Sequence, residues 1–269
     1  MSLALLEALD NFIEATQQAN KVRILAPYEK RIERDFARLF KKQGALFAAE
    51  HAKYQGHYLE SIGGDIFSRL MDIIFTATQQ EMNEAIKLPA AEIVKRAGDN
   101  LINQLDLAVA FDVKNPEAVS WLGNHAAEMV TKVNETTRSQ IASIVTQSVD
   151  EGWSYNRTAK EIRGRFNEFA VGKPQLHIQS RAHLVAVTES ANAYEYSTYQ
   201  TAKGLQSMGL QMEKSWLTVG DSRVTEECHA NQEQGWLDID KQFQSGSMNQ
   251  QRFPGCRCTS LHQVAEEKK

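Results

Sequence analysis

The sequence predicts a mainly α-helical protein, with long N-terminal helices followed by a small α+β module that holds a short β-hairpin or sheet around residues 215–262. Apolar residues recur at spacings of three and four over most of the chain before residue 204, which is the period of an amphipathic helix. Segments with strand composition begin only after residue 213. All three cysteines also lie in this last part, so any chemistry that the sequence carries is expected there.

Composition and charge exclude several classes of protein. The 269 residues suffice for one large or two modest domains, and the net charge of −4 gives no electrostatic reason to wrap nucleic acid over the whole surface. No stretch approaches the ~18 uninterrupted apolar residues of a membrane span, and Glu7 and Asp10 interrupt the apolar N-terminus, which argues against a signal peptide. Three cysteines are too few for a disulfide framework, so we expect thiols or a metal site in a reducing cytoplasm.

Four helices are predicted in residues 1–107. Pro27 and Pro89 are expected to end one helix or begin the next, because proline lacks the amide hydrogen that a helix interior needs. Acidic and basic residues are interleaved between Tyr28 and Tyr54, which favours a solvated helix face over a nucleic-acid-binding helix. With Gly63-Gly64 as a further break, the predicted helices cover residues 1 to about 24, 28 to about 54, 65 to 88 and 90 to 107.

More helices are predicted between residues 108 and 204. The Asn115-Pro116 breaker predicts a helix start towards Trp121-Leu122, with Asn115 as its cap. Gly152 is expected to end the next helix, and Ser154 to cap the helix after it. The remaining predicted spans are about 126–151, 157–166 and 178–204, with Gly172-Lys173-Pro174 as a loop.

The helix–Gly–Ser–helix unit around Gly152 resembles a helix-turn-helix. A DNA-binding function would need an exposed, basic second helix. Glu161 lies among the basic residues and helical hairpins are common, so packing is favoured over DNA binding. The basic residues concerned are Arg157, Lys160, Arg163 and Arg165.

Three short strands are predicted in the C-terminal module. Their spans are about 215–219, 235–239 and 258–262. Gly220-Asp221 is expected to end the first strand.

The cysteines are candidate metal ligands. Cys256 and Cys258, together with Cys228 and a histidine, would supply the four ligands of a tetrahedral zinc site. His229 is the nearest histidine, but adjacent side chains point apart in an extended chain, and His262 is the next candidate. The alternative is three buried thiols near a hairpin, or a disulfide between Cys228 and Cys256.

Asp221, Arg223 and Glu189 are the other candidate site residues. A metal-dependent hydrolase or nuclease would use Asp221, Glu189 and the Cys/His cluster. No spacing of a nucleophile and a base specifies such an enzyme, and an Asp at a strand end more often forms an Asx-turn while an Arg pairs with a carboxylate. The structural interpretation is therefore favoured.

A series of short motifs in this order resembles the phage Mu F-like head morphogenesis (minor capsid) family, over about residues 105–262. Each motif is short, but their order and spacing together are fairly specific. They are Thr188-Glu189 with Asn192-Ala193, Trp216 and Thr218, Asp221 and Arg223, Cys228, Gln234-Gly235-Trp236, Phe243 with Ser245-Gly246, and Pro254 with Cys256-Arg257-Cys258.

The resemblance implies a low-copy structural protein without enzyme activity, located inside the capsid of a phage or prophage. It would bind the portal and other capsid proteins in the procapsid, and support head assembly and DNA delivery, with at most weak DNA contact. Residues 1–107 would be a helical region that docks on partners, and residues 108–265 the family domain, with its strand module at 213–262. Structural motif positions would be Glu189, Trp216, Asp221, Arg223, Gly235, Phe243, Pro254 and Arg257.

The chain departs from similar relatives at two positions that bear on zinc. Thr225 and Phe253 stand where those relatives carry a cysteine and a histidine, which favours three thiols without metal over bound zinc. Val187 stands where they often have arginine beside the Thr-Glu pair.

Overall fold

The computed structural model describes residues 3–53, 65–107, 116–171, 180–250 and 252–265. Within these ranges the chain forms long helices and a small C-terminal sheet, which confirms the predicted fold class. The predicted Gly63-Gly64 break, the Asn115 cap and the Gly172-Lys173-Pro174 loop lie outside the described residues. The elements are α1 (Leu3–Ala52), α2 (Asp65–Gln104), α3 (Pro116–Asp150), α4 (Tyr155–Val171), α5 (Arg181–Ser207), β1 (Met212–Leu217), α6 (Glu226–Glu233), β2 (Leu237–Asp238) and β3 (Thr259–Val264).

Helices α1 and α2 run through their prolines, so the predicted breaks at Pro27 and Pro89 were wrong. A proline inside a helix costs about 3 kcal/mol. Burying a large aliphatic or aromatic side chain contributes about 1.5–3 kcal/mol, and several such side chains flank each proline. Packing therefore outweighs the local cost. The buried neighbours are Leu25, Tyr28 and Ile32 around Pro27, and Ile86, Ala90 and Ile93 around Pro89.

The turn between α3 and α4 follows the prediction. Gly152 has a φ of 63°, a left-handed conformation that suits glycine. The Ser154 hydroxyl accepts a hydrogen bond from the amide of Arg157 at 3.3 Å, as an N-cap does. The two helices predicted between Pro116 and Asp150 form one continuous α3 instead.

The eight-residue helix α6 was not predicted. Its N-cap is Thr225, whose hydroxyl accepts a hydrogen bond from the amide of Cys228 at 3.4 Å. Glu226 and Glu227 lie in its first turn, where negative charge is favourable. A Thr followed by two acids is a helix-start signal, so the sequence contained the information that predicts this helix.

The sheet has the strand order β2-β1-β3, and both pairs are antiparallel. Strand β1 is central, which places Trp216 opposite Ser260 and Lys214 opposite His262. The other edge of β1 pairs Glu213 with Asp238.

Contacts divide the chain into two compact units. Unit 1 comprises Met1–Lys30, Pro89–Val119 and Ala186–Lys269, and unit 2 comprises Arg31–Leu88 and Ser120–Val185. The division into a docking region, 1–107, and a family domain, 108–265, concerns partners and family and stays a prediction. None of the described helices is long and apolar enough to cross a membrane.

Unit 2 has an aromatic core. Phe40 and Phe166 both meet Phe169 edge to face, at ring-centroid distances of 5.5 and 5.7 Å. A Cβ added at Gly44 on α1 would lie 2.8 Å from the Cβ of Phe166, so glycine permits this close approach to α4. Unit 1 has its own apolar cluster, formed by Leu101, Ala202, Leu205, Met212 and Ile239.

Candidate functional site

The three cysteines form one cluster in unit 1, hereafter the thiol cluster. Cys228 lies on α6, while Cys256 and Cys258 lie in the segment that leads into β3. Their exposed fractions are 1, 2 and 3%, and their sulfur atoms all lie within 4.8 Å of one another. Within the described ranges, this is a group whose ligand atoms are close enough to hold a metal ion.

Apolar side chains surround the thiol cluster. Trp216 and Phe243 are both buried in it, and their rings meet edge to face at a centroid distance of 5.1 Å. Phe253 packs against the cluster, and its carbonyl accepts a hydrogen bond from the amide of Cys256 at 3.1 Å. Two of the predicted motif positions, Trp216 and Phe243, thus pack directly against the thiol cluster.

The thiols differ in acidity. The Cys258 thiol hydrogen-bonds to Cys256 and lowers the pKa of Cys256 to about 6, against the opposing effect of burial. The same hydrogen bond, reinforced by burial, raises the pKa of Cys258 well above its usual range. Negative charge in the cluster is therefore favoured on the Cys256 sulfur.

Neither predicted histidine joins the thiol cluster. His229 follows Cys228 on α6, where successive side chains are about 100° apart. Because Cys228 points inward, His229 is exposed. His262 is buried on β3, and its Nε2 has no hydrogen-bond partner among the described residues. Burial, with a smaller effect from the neighbouring Lys214, lowers the pKa of His262 to about 3.

Asp221 is held by two arginines, in what is hereafter the arginine clasp. Its Oδ1 accepts the amide of Arg223 at 3.0 Å, which is an Asx-turn. Its Oδ2 accepts Nη2 of Arg223 at 2.6 Å and Nη2 of Arg257 at 2.5 Å. These guanidinium groups, Arg223 first, hold the pKa of Asp221 well below its usual range. The clasp ties the turn after β1 to the Cys-Arg-Cys segment.

The pair Thr188-Glu189 on α5 lies at the same segment. The Thr188 hydroxyl accepts the amide of Gly255 at 3.0 Å. Glu189 is buried at 4% exposure, and its Oε1 accepts Nδ2 of Asn192 at 3.5 Å. Pro254, beside Gly255, is exposed.

A buried ion pair that the sequence did not predict lies beside the thiol cluster. Nζ of Lys21 is 2.7 Å from Oε1 of Glu195 and 2.5 Å from the carbonyl oxygen of Cys258. Glu195 also accepts the Thr259 hydroxyl and the Ser260 amide, both at 3.0 Å. No local pattern predicts this pair, because 174 residues separate its two members.

The remaining predicted motif positions have structural contacts. Gly235 has a φ of 65° and closes the turn after α6. Asn231 and Ser245 exchange two hydrogen bonds, at 2.9 and 3.0 Å, which join α6 to the loop beyond Phe243.

Two of the four basic residues of α4, Arg157 and Arg165, lie near acids. Arg157 stacks on Trp153 at 4.1 Å and approaches Glu151 at 3.9 Å. Arg165 pairs with Glu168 at 3.2 Å. Their charge is thus partly balanced locally, as the packing interpretation expects.

Residues 139–261 match the family model described as Phage Mu protein F like protein. Neither a curated protein nor a solved structure gives a match to the chain. The matched segment lies within the predicted 105–262 and holds the thiol cluster, the arginine clasp and Glu189. The match points to a role in phage head morphogenesis. Residues 139–261 of this chain are therefore similar to the phage Mu protein F like family.

Proposed function

We propose that this protein is a non-enzymatic minor capsid protein that binds the portal inside the procapsid and supports head assembly and DNA delivery. The observation that carries the proposal is the family match over residues 139–261. A heterologous contact between a low-copy subunit and a portal ring is geometrically allowed.

The contacts of the C-terminal module support assembly over catalysis. Both oxygens of Asp221 are occupied by the arginine clasp, and Glu189 is buried, with its Oε1 accepting a hydrogen bond from Asn192. In the described ranges, the candidate metal group consists of thiols without a carboxylate. A hydrolytic metal centre generally uses carboxylate or imidazole ligands and keeps an open position for water.

The proposed docking region carries exposed apolar side chains near its start. Phe12 is 69% exposed and the adjacent Ile13 is 44% exposed, both on α1. Large apolar side chains in solvent are available for contact with another protein. In the proposal this part of α1 contacts the portal.

Co-expression with the portal protein tests the proposal. We expect the wild-type chain to co-purify with portal rings and to be a low-copy component of assembled heads, counted by mass spectrometry. Phe12→Glu with Ile13→Glu should reduce portal binding by at least tenfold. Met208→Glu, at another exposed apolar residue with 66% exposure, is the matched control and should bind normally.

Two results would contradict this function. One is the absence of portal binding together with normal heads when the gene is removed. The other is divalent-ion-dependent nuclease activity of the purified protein that disappears in Asp221→Ala. A salt-dependent shift of duplex DNA, abolished by Arg163→Ala with Arg165→Ala, would support the DNA-binding alternative instead.

A further inference from the structure

We propose that Cys228, Cys256 and Cys258 form a three-thiolate site for a divalent, thiophilic metal ion such as Zn²⁺. The site is independent of the proposed capsid function. It would link α6 to the segment that enters β3 and so stabilise the C-terminal module.

The sulfur positions are close to those that a metal needs. Zinc–thiolate bonds of ~2.3 Å place two ligand sulfurs about 3.8 Å apart in a tetrahedral site. Because the three sulfurs already lie within 4.8 Å of one another, an approach of about 1 Å or less completes the geometry. Two separate chain segments supply the ligands, so the ion acts as a cross-link.

A buried donor beside the thiols supports an anionic centre. Trp216 is 1% exposed and belongs to the same cluster, and its Nε1 finds no hydrogen-bond acceptor among the described residues. A buried polar atom without a partner often marks the place of an ion or water. A metal with three thiolates carries the negative charge that such a donor favours.

The thiolate ligands and their apolar surroundings favour a particular kind of metal ion. Thiolates prefer Zn²⁺ or Cu⁺ to hard cations such as Mg²⁺. Three thiolates leave a net charge of −1 with a divalent ion and −2 with a monovalent ion. The cluster is lined by apolar side chains, and the nearby Lys21 is already paired with Glu195, so the lower net charge costs less to bury.

The protein supplies three ligands and not four. Thr225 caps α6 and also accepts Nη2 of Arg252 at 3.3 Å, while Phe253 presents an apolar ring to the cluster. His229 is exposed. The described residues therefore offer three thiolate ligands, and the site differs in this from a four-ligand structural zinc site.

Metal titration of the full, reduced chain tests the site. With Zn²⁺ we expect one ion per chain and a midpoint of thermal unfolding that rises with metal concentration and falls when a chelator is added. Co²⁺ should give the charge-transfer absorption of three thiolates. Cys228→Ser and Cys256→Ser should each lower the affinity at least a hundredfold, whereas His229→Ala, at the exposed neighbour of Cys228, should bind like the wild type.

A second measurement, the reactivity of the thiols in the wild-type chain, tests the site even if a serine variant fails to fold. Wild-type chain loaded with Zn²⁺ should react with a disulfide reagent at least tenfold more slowly than the metal-free chain. The proposal is overturned by the absence of stoichiometric Zn²⁺, by equal binding in folded serine variants, or by loss of binding in His229→Ala. A disulfide formed within the cluster in air, in place of metal uptake, also overturns it.

Discussion

At the scale of single residues, the C-terminal module contains charged and polar side chains that are held by specific partners or buried in its interior. The arginine clasp fixes a turn at the surface, while His262 and Lys214 face each other across β1 and β3 in the interior. Lys214 is fully buried, with Nζ 2.5 Å from the carbonyl of Met248 and 5.0 Å from the ring centroid of Phe243. Burial lowers the pKa of Lys214 to about 8, so the folded module disfavours the charged form of this side chain relative to an exposed lysine.

His262 should make the protein sensitive to acid. Its pKa is about 3 in the folded protein, against 6.5 for an exposed histidine, so the unfolded chain binds more protons between these two pH values. Stability is therefore lost as the pH falls from 6.5 towards 3, by on the order of 5 kcal/mol from this group. In denaturant titrations, His262→Leu should lose stability less steeply than wild type over this window. Equal slopes would contradict the buried neutral state.

At the scale of elements, helix contacts decide outcomes that helix propensity alone would predict wrongly. Pro27 and Pro89 lie inside α1 and α2, and Gly44 lies where α1 meets α4. Each of these residues is unfavourable in an isolated helix. Burial of neighbouring apolar side chains on the same helices offsets this unfavourable contribution.

Gly44→Ala should destabilise unit 2, although alanine is the better helix former by about 1 kcal/mol. The new Cβ would lie 2.8 Å from the Cβ of Phe166, so the helices must shift apart. Gly164→Ala is the matched control, because nothing lies within 4 Å of its added Cβ and the helix gains stability. Thermal unfolding should move in opposite directions for the two variants. A stabilised Gly44→Ala protein would contradict the close approach.

Lys21→Met should destabilise the protein strongly. It leaves the carboxylate of Glu195, whose side chain is 1% exposed, without its cationic partner. Removing one member of a buried pair typically costs about 3–5 kcal/mol. Adding Glu195→Gln to Lys21→Met should recover part of this loss, since the buried charge is then gone. A double-mutant cycle in urea measures the coupling, and additive effects would rule it out.

At the scale of the whole molecule, unit 1 joins segments that are distant in sequence. Lys21 contacts Glu195 and Cys258, and Nε2 of Gln18 donates to the carbonyl of Arg257 at 3.2 Å. Residues near the start of the chain thus complete the packing of the segment that carries the thiol cluster. The family match begins only at residue 139 and does not include them.

A chain of residues 108–265 should fold less stably than the same residues in the full protein. Without α1, Glu195 keeps its hydrogen bonds to Thr259 and Ser260 but loses Lys21. We expect faster proteolysis of the C-terminal module and a lower midpoint of thermal unfolding. Unchanged values for both would instead favour residues 108–265 as an independent domain.

The sequence by itself determined the fold class, the resemblance to the phage Mu F-like family and the position of the module. Helical periodicity, late strand composition and the order of motifs from Thr188 to Cys258 were sufficient, because each is a local property of the chain. The interpretation of Asp221 and Arg223 as an Asx-turn with an ion pair also needed only neighbouring residues. The helix α6 could also have been predicted from sequence, because it begins with Thr225-Glu226-Glu227.

Only the tertiary structure decided what distant residues do together. Helices α1 and α2 continue past Pro27 and Pro89, because burial of the neighbouring apolar side chains against other segments exceeds the cost of a proline in a helix. The tertiary structure paired Lys21 with Glu195, and it brought Cys228 to Cys256 and Cys258 while leaving His229 in solvent. The physical reason is that hydrogen bonds and ligand sets depend on distances of a few ångströms, and sequence spacing does not fix these across long separations.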